Sequence, residues 1–155
     1  MASAMQSPNT DRLDRVGGKR RARADGRRHA VVVKRAGEKP SIDDGLRVLV
    51  DRRWPGGLSK KQVAADLWLH EVAPSNALQR WFAHAPSRWP DFNRKYRDEL
   101  EQRPDLLRLL DDLRCRGRLT LLYHASDAAH NHVRVLHHIL SERPSPHHHA
   151  KGVES

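Results

Sequence analysis

The chain lacks most of the features that announce a function directly. It has one cysteine in 155 residues, which excludes an internal disulfide. That residue, Cys115, sits between Arg114 and Arg116 in a helical pattern and reads as a spectator rather than a reactive thiolate. No apolar run approaches the roughly 18 to 20 residues that span a bilayer. The start also lacks the apolar stretch of about 7 residues found in a secretory signal, so a cytoplasmic protein with no membrane partner is expected. A G-x-S-x-G elbow, a Walker loop, a glycine-rich dinucleotide fingerprint and an H-E-x-x-H pair are all missing. No named enzyme class follows from the residues, and neither a cofactor nor a metal is predicted.

Positive charge, by contrast, is abundant. Lys and Arg number 29 against 19 Asp and Glu, a formal net charge of +10. Half of that excess lies in the first 30 residues, where eight cations (Arg12, Arg15, Lys19, Arg20, Arg21, Arg23, Arg27 and Arg28) face Asp11, Asp14 and Asp25. Residues 1–29 lack hydrophobic periodicity and read as a disordered basic tail. Either residues 12–28 hold nucleic acid or another acidic partner through counterion release, or the true start of translation lies downstream of them.

The remaining residues suffice for one core. Ala30–Lys34 is a β-branched run that reads as a first strand, and Arg47–Asp51 as a second, with Val48, Leu49 and Val50 consecutive as in a strand buried on both faces. Ser59 reads as the N-cap of a short helix. Asp66–Val72 leans to a short strand because Pro74 closes it, and Pro74-Ser75 opens a helix carrying Leu78, Trp81 and Phe82. From Ser87, Trp89, Phe92, Tyr96 and Leu100 recur at spacings of three and four, one face of an amphipathic helix. Pro104 starts another helix, closed by Gly117. Leu119–Tyr123 returns to the sheet, and Asp127 is placed to cap a last helix with Val133, Leu136, Ile139 and Leu140 on its buried stripe. The expectation is a single α/β domain over 30–142, with a small, mostly parallel sheet of three to four strands flanked by helices. Residues 143–155, including His147, His148 and His149, read as a loose tail.

Two apolar runs, Val48–Val50 and Leu119–Tyr123, end in clusters of charged, aromatic and imidazole residues. In open α/β sheets ligands bind beyond the carboxyl ends of the strands, so the clusters outline a polar site of Asp51, Arg52, Tyr123, Asp127, His130 and His132. Arg52 either ties down its turn by pairing with Asp51 or acts as a planar clamp for a phosphate or carboxylate. In the second case the amides of Gly56 and Gly57, the helix start after Ser59 and the charge of Lys60 would assist. His130, Asn131 and His132 are expected in the first turn of the last helix, where the macrodipole favours neutral imidazoles suited to general-base work. A spacing of two sets helical side chains about 200° apart, so the two histidines make a poor metal clamp. His132 alternatively reads as a core residue bonded to Asp51 or Tyr123. His84 and Arg88, with Trp54, Trp81 and Trp89, either line a pocket wall or pack the core.

The run from Asp44-Gly45 through Arg47–Arg52 and Trp54-Pro55 is joined by Asp66–Leu69, Ala73-Pro74-Ser75, Trp81-Phe82 with His84, Arg88-Trp89 with Phe92, Tyr96, Glu99-Leu100, and Leu121–Tyr123 through His130–His132. Together these motifs resemble the YeaO-like branch of the domain-of-unknown-function family 488 over about Val31 to Leu140. The resemblance implies a small α/β domain with no established activity. Its pattern usually reads Trp-Pro-Arg-Gly, whereas this chain has Gly56 in place of that arginine and Arg53 at a normally apolar position. Relatives also tend to Ala-Ala-Lys-Asp after the last strand, where His124 and Ser126 stand here, so an anion-binding role carried over from the family would be weakened. A tetrapyrrole methyltransferase label carried by some relatives does not fit, because that two-domain fold needs on the order of 250 residues. The expected function is the binding of a small anionic molecule at this site, with acid/base chemistry by Asp51, Asp127, His130, His132 and Tyr123 in view. The alternative is a non-catalytic nucleic-acid module that uses its tail.

Overall fold

A computed structural model describes residues 29–125 and 130–143. Four strands, β1 (Val31–Arg35), β2 (Leu46–Leu49), β3 (Leu67–Trp68) and β4 (Leu119–Tyr123), form one sheet in the order β1-β4-β2-β3. Every pairing is parallel, with Val31 opposite Leu119, Leu46 opposite Leu119 and Val48 opposite Leu67. The helices are α1 (Lys60–Val63), α2 (Asn76–Phe82), α3 (Trp89–Glu101), α4 (Pro104–Arg114) and α5 (His132–Glu142).

The two-residue period of the strands sorts their side chains onto two faces. Leu46, Val48 and Val50 join Leu119, Leu121 and Tyr123 in the main core, with Phe82, Phe92, Tyr96 and Leu100 of α2 and α3 and Val133, Leu136 and Leu140 of α5. Leu49 and Leu122 point the other way into a small cluster with Ala36 and Val63, against which Trp54, Leu58 and Trp68 pack. Arg47 shares that second face and is buried. Its guanidinium donates to the carbonyls of Val63 (2.6 Å) and Ala64 (3.0 Å) and to Asp44, so it closes the C-terminus of α1. Asp44 in turn accepts from Lys34 at 3.0 Å.

Both sheet edges are blunted, which limits edge-to-edge strand pairing. On β1 the Val31 carbonyl takes the His137 ring at 2.8 Å, and Glu38 bonds both the amide and the carbonyl of Arg35. On the far side, β3 is only two residues long.

Several boundaries differ from the sequence reading. β2 ends at Leu49, although the Val50 amide still donates to Leu122 O at 3.1 Å. The segment leaning to a strand over 66–72 yields two strand residues and then a 3-10 turn over His70–Val72. Gly117 is not the cap of α4. That helix ends at Arg114 with Cys115 as its cap, the Cys115 amide reaching back to Asp111, Asp112 and Leu113, and Gly117 is not in the left-handed conformation. α5 starts at His132 with Asn131 as its N-cap, the Asn131 side chain accepting from the Val133 amide at 3.0 Å. His130 and Asn131 therefore precede the helix rather than occupy its first turn. Asp127, the expected cap, lies outside the described residues, as do residues 12–28 and His147–His149.

Among the described residues, no helix is long and apolar enough to cross a membrane.

Candidate functional site

After β2 the chain leaves through α1 on the second face, whereas after β4 it enters α5 on the main-core face. Adjacent parallel strands whose connections depart to opposite sides open a crevice beyond their carboxyl ends. A cavity of about 240 Å³ lies there. The loop after β2 supplies Asp51 to Gly56, the loop after β4 supplies His124 and Ala125, and residues 130–132 come from the start of α5. Pro74, Gln79, Phe82, His84 and Phe92 complete the lining. Pro55, Pro74, Phe82 and Phe92 are buried and form its apolar base, while Arg53, Gly56, Gln79, His84 and His124 are exposed around it.

Asp51 joins the two loops. Its Oδ2 accepts the His124 amide at 2.8 Å, and its backbone carbonyl accepts the Trp68 indole at 2.7 Å. Its Oδ1 stands 3.3 Å from His132 Nε2 yet accepts no hydrogen bond, because the one Nε2 proton is directed to the Val50 carbonyl at 3.0 Å. A carbonyl oxygen can only accept, so the neutral ring is the Nε2–H tautomer. Burial disfavours both charges: it pushes the Asp51 carboxyl up despite the nearby imidazole and the His124 amide, and it pushes His132 down despite the carboxylate. Tyr96 lies edge-on to His132 with centroids 6.1 Å apart and donates to the Val72 carbonyl at 2.6 Å. Burial, then Glu99 and Asp51, hold its phenol well above the ordinary tyrosine value.

Arg52 is not paired with Asp51. Its Nε and Nη2 donate to the carbonyls of Pro74 and Ala73, each at 3.2 Å, which fixes the guanidinium against the segment entering α2. Among the described residues, Nη1 has no acceptor and no carboxylate lies within ion-pairing distance of Arg52. The segment it braces is held from the other side by Glu99, whose carboxylate accepts the Ser75 amide (2.9 Å) and hydroxyl (2.7 Å) while Ser75 caps α2.

At the other end of α2, Ala83 and His84 are both left-handed, with φ of 45° and 55°. Each costs about 1 to 2 kcal/mol for an L-residue, and the turn holds the His84 ring 6.0 Å from that of Phe82. Such strain concentrates at ligand clamps and switch regions.

Of the residues singled out from sequence, Asp51, Arg52, Trp54, His84, His130, Asn131 and His132 line the cavity. Tyr123 does not: it faces the main core beneath the Arg35 guanidinium, and Tyr96 is the tyrosine beside His132. Gly57 and the exposed Lys60 lie outside the lining, and α1, at four residues, is too short to offer an anion site at its start. Trp81 and Trp89 pack against the core, with Arg88 and Lys95 over the Trp81 ring, so the wall is built from Phe82 and Phe92 instead. Those two phenylalanines sat on apolar helix faces, and nothing in the sequence separated their lining role from their packing role. Among the described residues, no group of three or more His, Cys, Asp or Glu has the geometry to hold a metal.

The family profile described as the inactive DUF488-N3 subclade matches residues 30–154. The uncharacterised protein Rv3073c of Mycobacterium tuberculosis is 37% identical over 113 residues, 73% of this chain and 95% of that protein. The uncharacterised protein YeaO of Escherichia coli K12 is 37% identical over 103 residues, 66% of this chain and 90% of its own length. No solved structure matches the chain. A profile covering four-fifths of the sequence, together with relatives at this identity, settles the membership: the chain belongs to the inactive DUF488-N3 subclade of the DUF488 family.

Proposed function

We propose that this domain binds a small anionic molecule in the crevice between β2 and β4 and does not convert it. The observation that carries this reading is Arg52, a cation held rigidly in the cavity lining by two backbone carbonyls and offered no carboxylate among the described residues. A fixed, half-buried guanidinium with donors to spare suits a phosphate or carboxylate and has already lost the rotamer freedom that binding would otherwise cost. Arg53, also in the lining, makes no hydrogen bond or ion pair among the described residues, so among those residues two arginines of the lining stand against one carboxylate, that of Asp51. The acid/base alternative draws on Asp51 and His132, whose proton affinities are both displaced. Against it, the Nε2 proton is committed to a backbone carbonyl, and the family description reads inactive.

Calorimetric titration of the full chain with inorganic phosphate, sulfate and acetate tests the proposal. Arg52→Ala and Arg53→Ala should each weaken binding about tenfold or more, the worth of one charge-assisted contact. Arg52→Lys should restore little, because a lysine cannot bond two carbonyls and still present a planar fork. Arg53→Ala removes no bond among the described residues, so its result separates ligand binding from folding. Unchanged affinity in both alanine variants overturns the proposal.

The charge of residues 12–28 supports a second, separate reading in which the tail adds nucleic-acid binding. Affinity for duplex or single strands should then fall steeply with salt and vanish when the tail is removed. Salt-insensitive binding, or none, defeats it.

A further inference from the structure

We infer that the anion this crevice takes carries a planar aromatic or heteroaromatic ring. The inference rests on the anion reading above and goes further by naming the rest of the ligand.

Rings dominate the lining beyond its arginines: Trp54 from the loop after β2, Phe82 and Phe92 from α2 and α3, and the imidazoles of His84 and His130. They are fixed. The Trp54 indole donates to the Leu58 carbonyl at 2.8 Å and meets Trp68 edge-on, and Phe82 and Phe92 lie 4.5 Å apart. His130 stands edge-on to Trp89 at 5.3 Å. Aromatic side chains recognise flat rings through offset-stacked and edge-to-face contacts that an aliphatic group of equal area does not make.

Two further observations point the same way. The left-handed turn at Ala83 and His84 keeps an exposed imidazole beside Phe82 in a backbone conformation that a glycine would adopt more readily. The cavity, at about 240 Å³, falls below the range of roughly 300 to 1,000 Å³ typical of drug-sized ligands. It therefore suits one ring with an anionic group rather than a peptide or an oligonucleotide.

The test titrates the full chain with phenyl phosphate, cyclohexyl phosphate and inorganic phosphate. Phenyl phosphate should bind about tenfold tighter than inorganic phosphate, with cyclohexyl phosphate gaining no more than about threefold, since a ring-stacking preference is worth about 0.5 to 1.5 kcal/mol beyond burial. His84→Asn, which tolerates the left-handed backbone, should narrow the affinity ratio between phenyl phosphate and inorganic phosphate. In NMR spectra, phenyl phosphate should shift the ring signals of Phe82, Phe92 and His84 while leaving exposed Ile42 in place. Equal affinity for phenyl and cyclohexyl phosphate, or for phenyl and inorganic phosphate, overturns the inference alone. If none of the three binds, it falls together with the anion reading.

Discussion

Asp51 and His132 face each other across 3.3 Å without a hydrogen bond between them. The carboxylate spends Oδ2 on the His124 amide and the imidazole spends its proton on Val50, so each tethers a different loop to the strand ends. The pair therefore holds the crevice together through two backbone bonds rather than through one salt bridge.

Burial lowers the His132 pKa below its ordinary 6.5. A histidine depressed in the folded state binds fewer protons there than when unfolded. Its contribution to stability is thus whole above 6.5 and is lost as pH falls toward the folded value. Asp51, raised above 3.8, acts in the opposite sense further down, since protonating it relieves a penalty specific to the fold. Between about pH 7.5 and about pH 5.5 the wild type should lose more stability than His132→Gln, whose amide still reaches Val50 but does not titrate. Urea denaturation across that range checks this, and an NMR titration should place the His132 ring below 6.5. Parallel pH profiles for the two proteins would refute it.

Arg47 carries the second face of the sheet. Replacing it with methionine leaves the Asp44 carboxylate and the Val63 and Ala64 carbonyls short of their donor in a buried setting. The loss should be about 3 to 5 kcal/mol, the usual cost of breaking a buried pair from one side. Burial pushes Asp44 up, but the Ser41 amide, Lys34 and Arg47 outweigh it and hold its pKa below 3.8. Asp44 therefore stabilises the fold above that value and stops doing so as pH falls through its folded pKa. Asp44→Asn should accordingly flatten the acid limb of the stability curve, as read by thermal melts.

The strands were legible because consecutive β-branched and leucine residues bounded by Gly, Pro and charge leave little choice, and Leu119–Tyr123 falls where the pattern places it. The crevice was legible as two strand ends rich in side-chain chemistry. What misled was local ambiguity. Asp127 and Asn131 are both good N-cap residue types, and the helix starts from the later one, so His130 and Asn131 precede it. Tyr123 stands at a strand end, which suggests the polar site, whereas its two-residue spacing from Leu119 and Leu121 assigns it to their buried face. The partners of Arg52 are backbone carbonyls 21 and 22 residues away, and such partners leave no trace in side-chain identity.

Three glycines separate backbone strain from crowding. Gly45 has φ 66° and ψ −135°, and a Cβ there would stand 2.2 Å from the Arg118 carbonyl oxygen, which already accepts the Leu46 amide. Gly45→Ala should cost at least about 3 kcal/mol, because a glycine-only conformation and a backbone clash at the β2–β4 junction act together. Gly57 has φ 81° with open space around it, so alanine there should cost only about 1 to 2 kcal/mol. Gly56, open and without positive φ, should tolerate alanine within about 0.5 kcal/mol. Equilibrium unfolding of the three variants should reproduce this order.

His29 is bound to buried Arg114 by its backbone in both directions: its amide donates to Arg114 O at 3.0 Å, and its carbonyl accepts from Arg114 Nε and Nη2 at 3.3 and 3.2 Å. The same guanidinium donates to the Leu140 carbonyl at 2.6 Å, so it bridges the entry to β1 and the end of α5. Removing residues 1–28 leaves these bonds intact and should shift stability by less than about 1 kcal/mol. Removing two residues more, to start at Val31, takes the carbonyl from a buried cation and should cost a further 1 to 3 kcal/mol or so. Melting curves of the full chain and the two truncations decide it, and a large drop for the first truncation would mean that the basic segment packs on the domain.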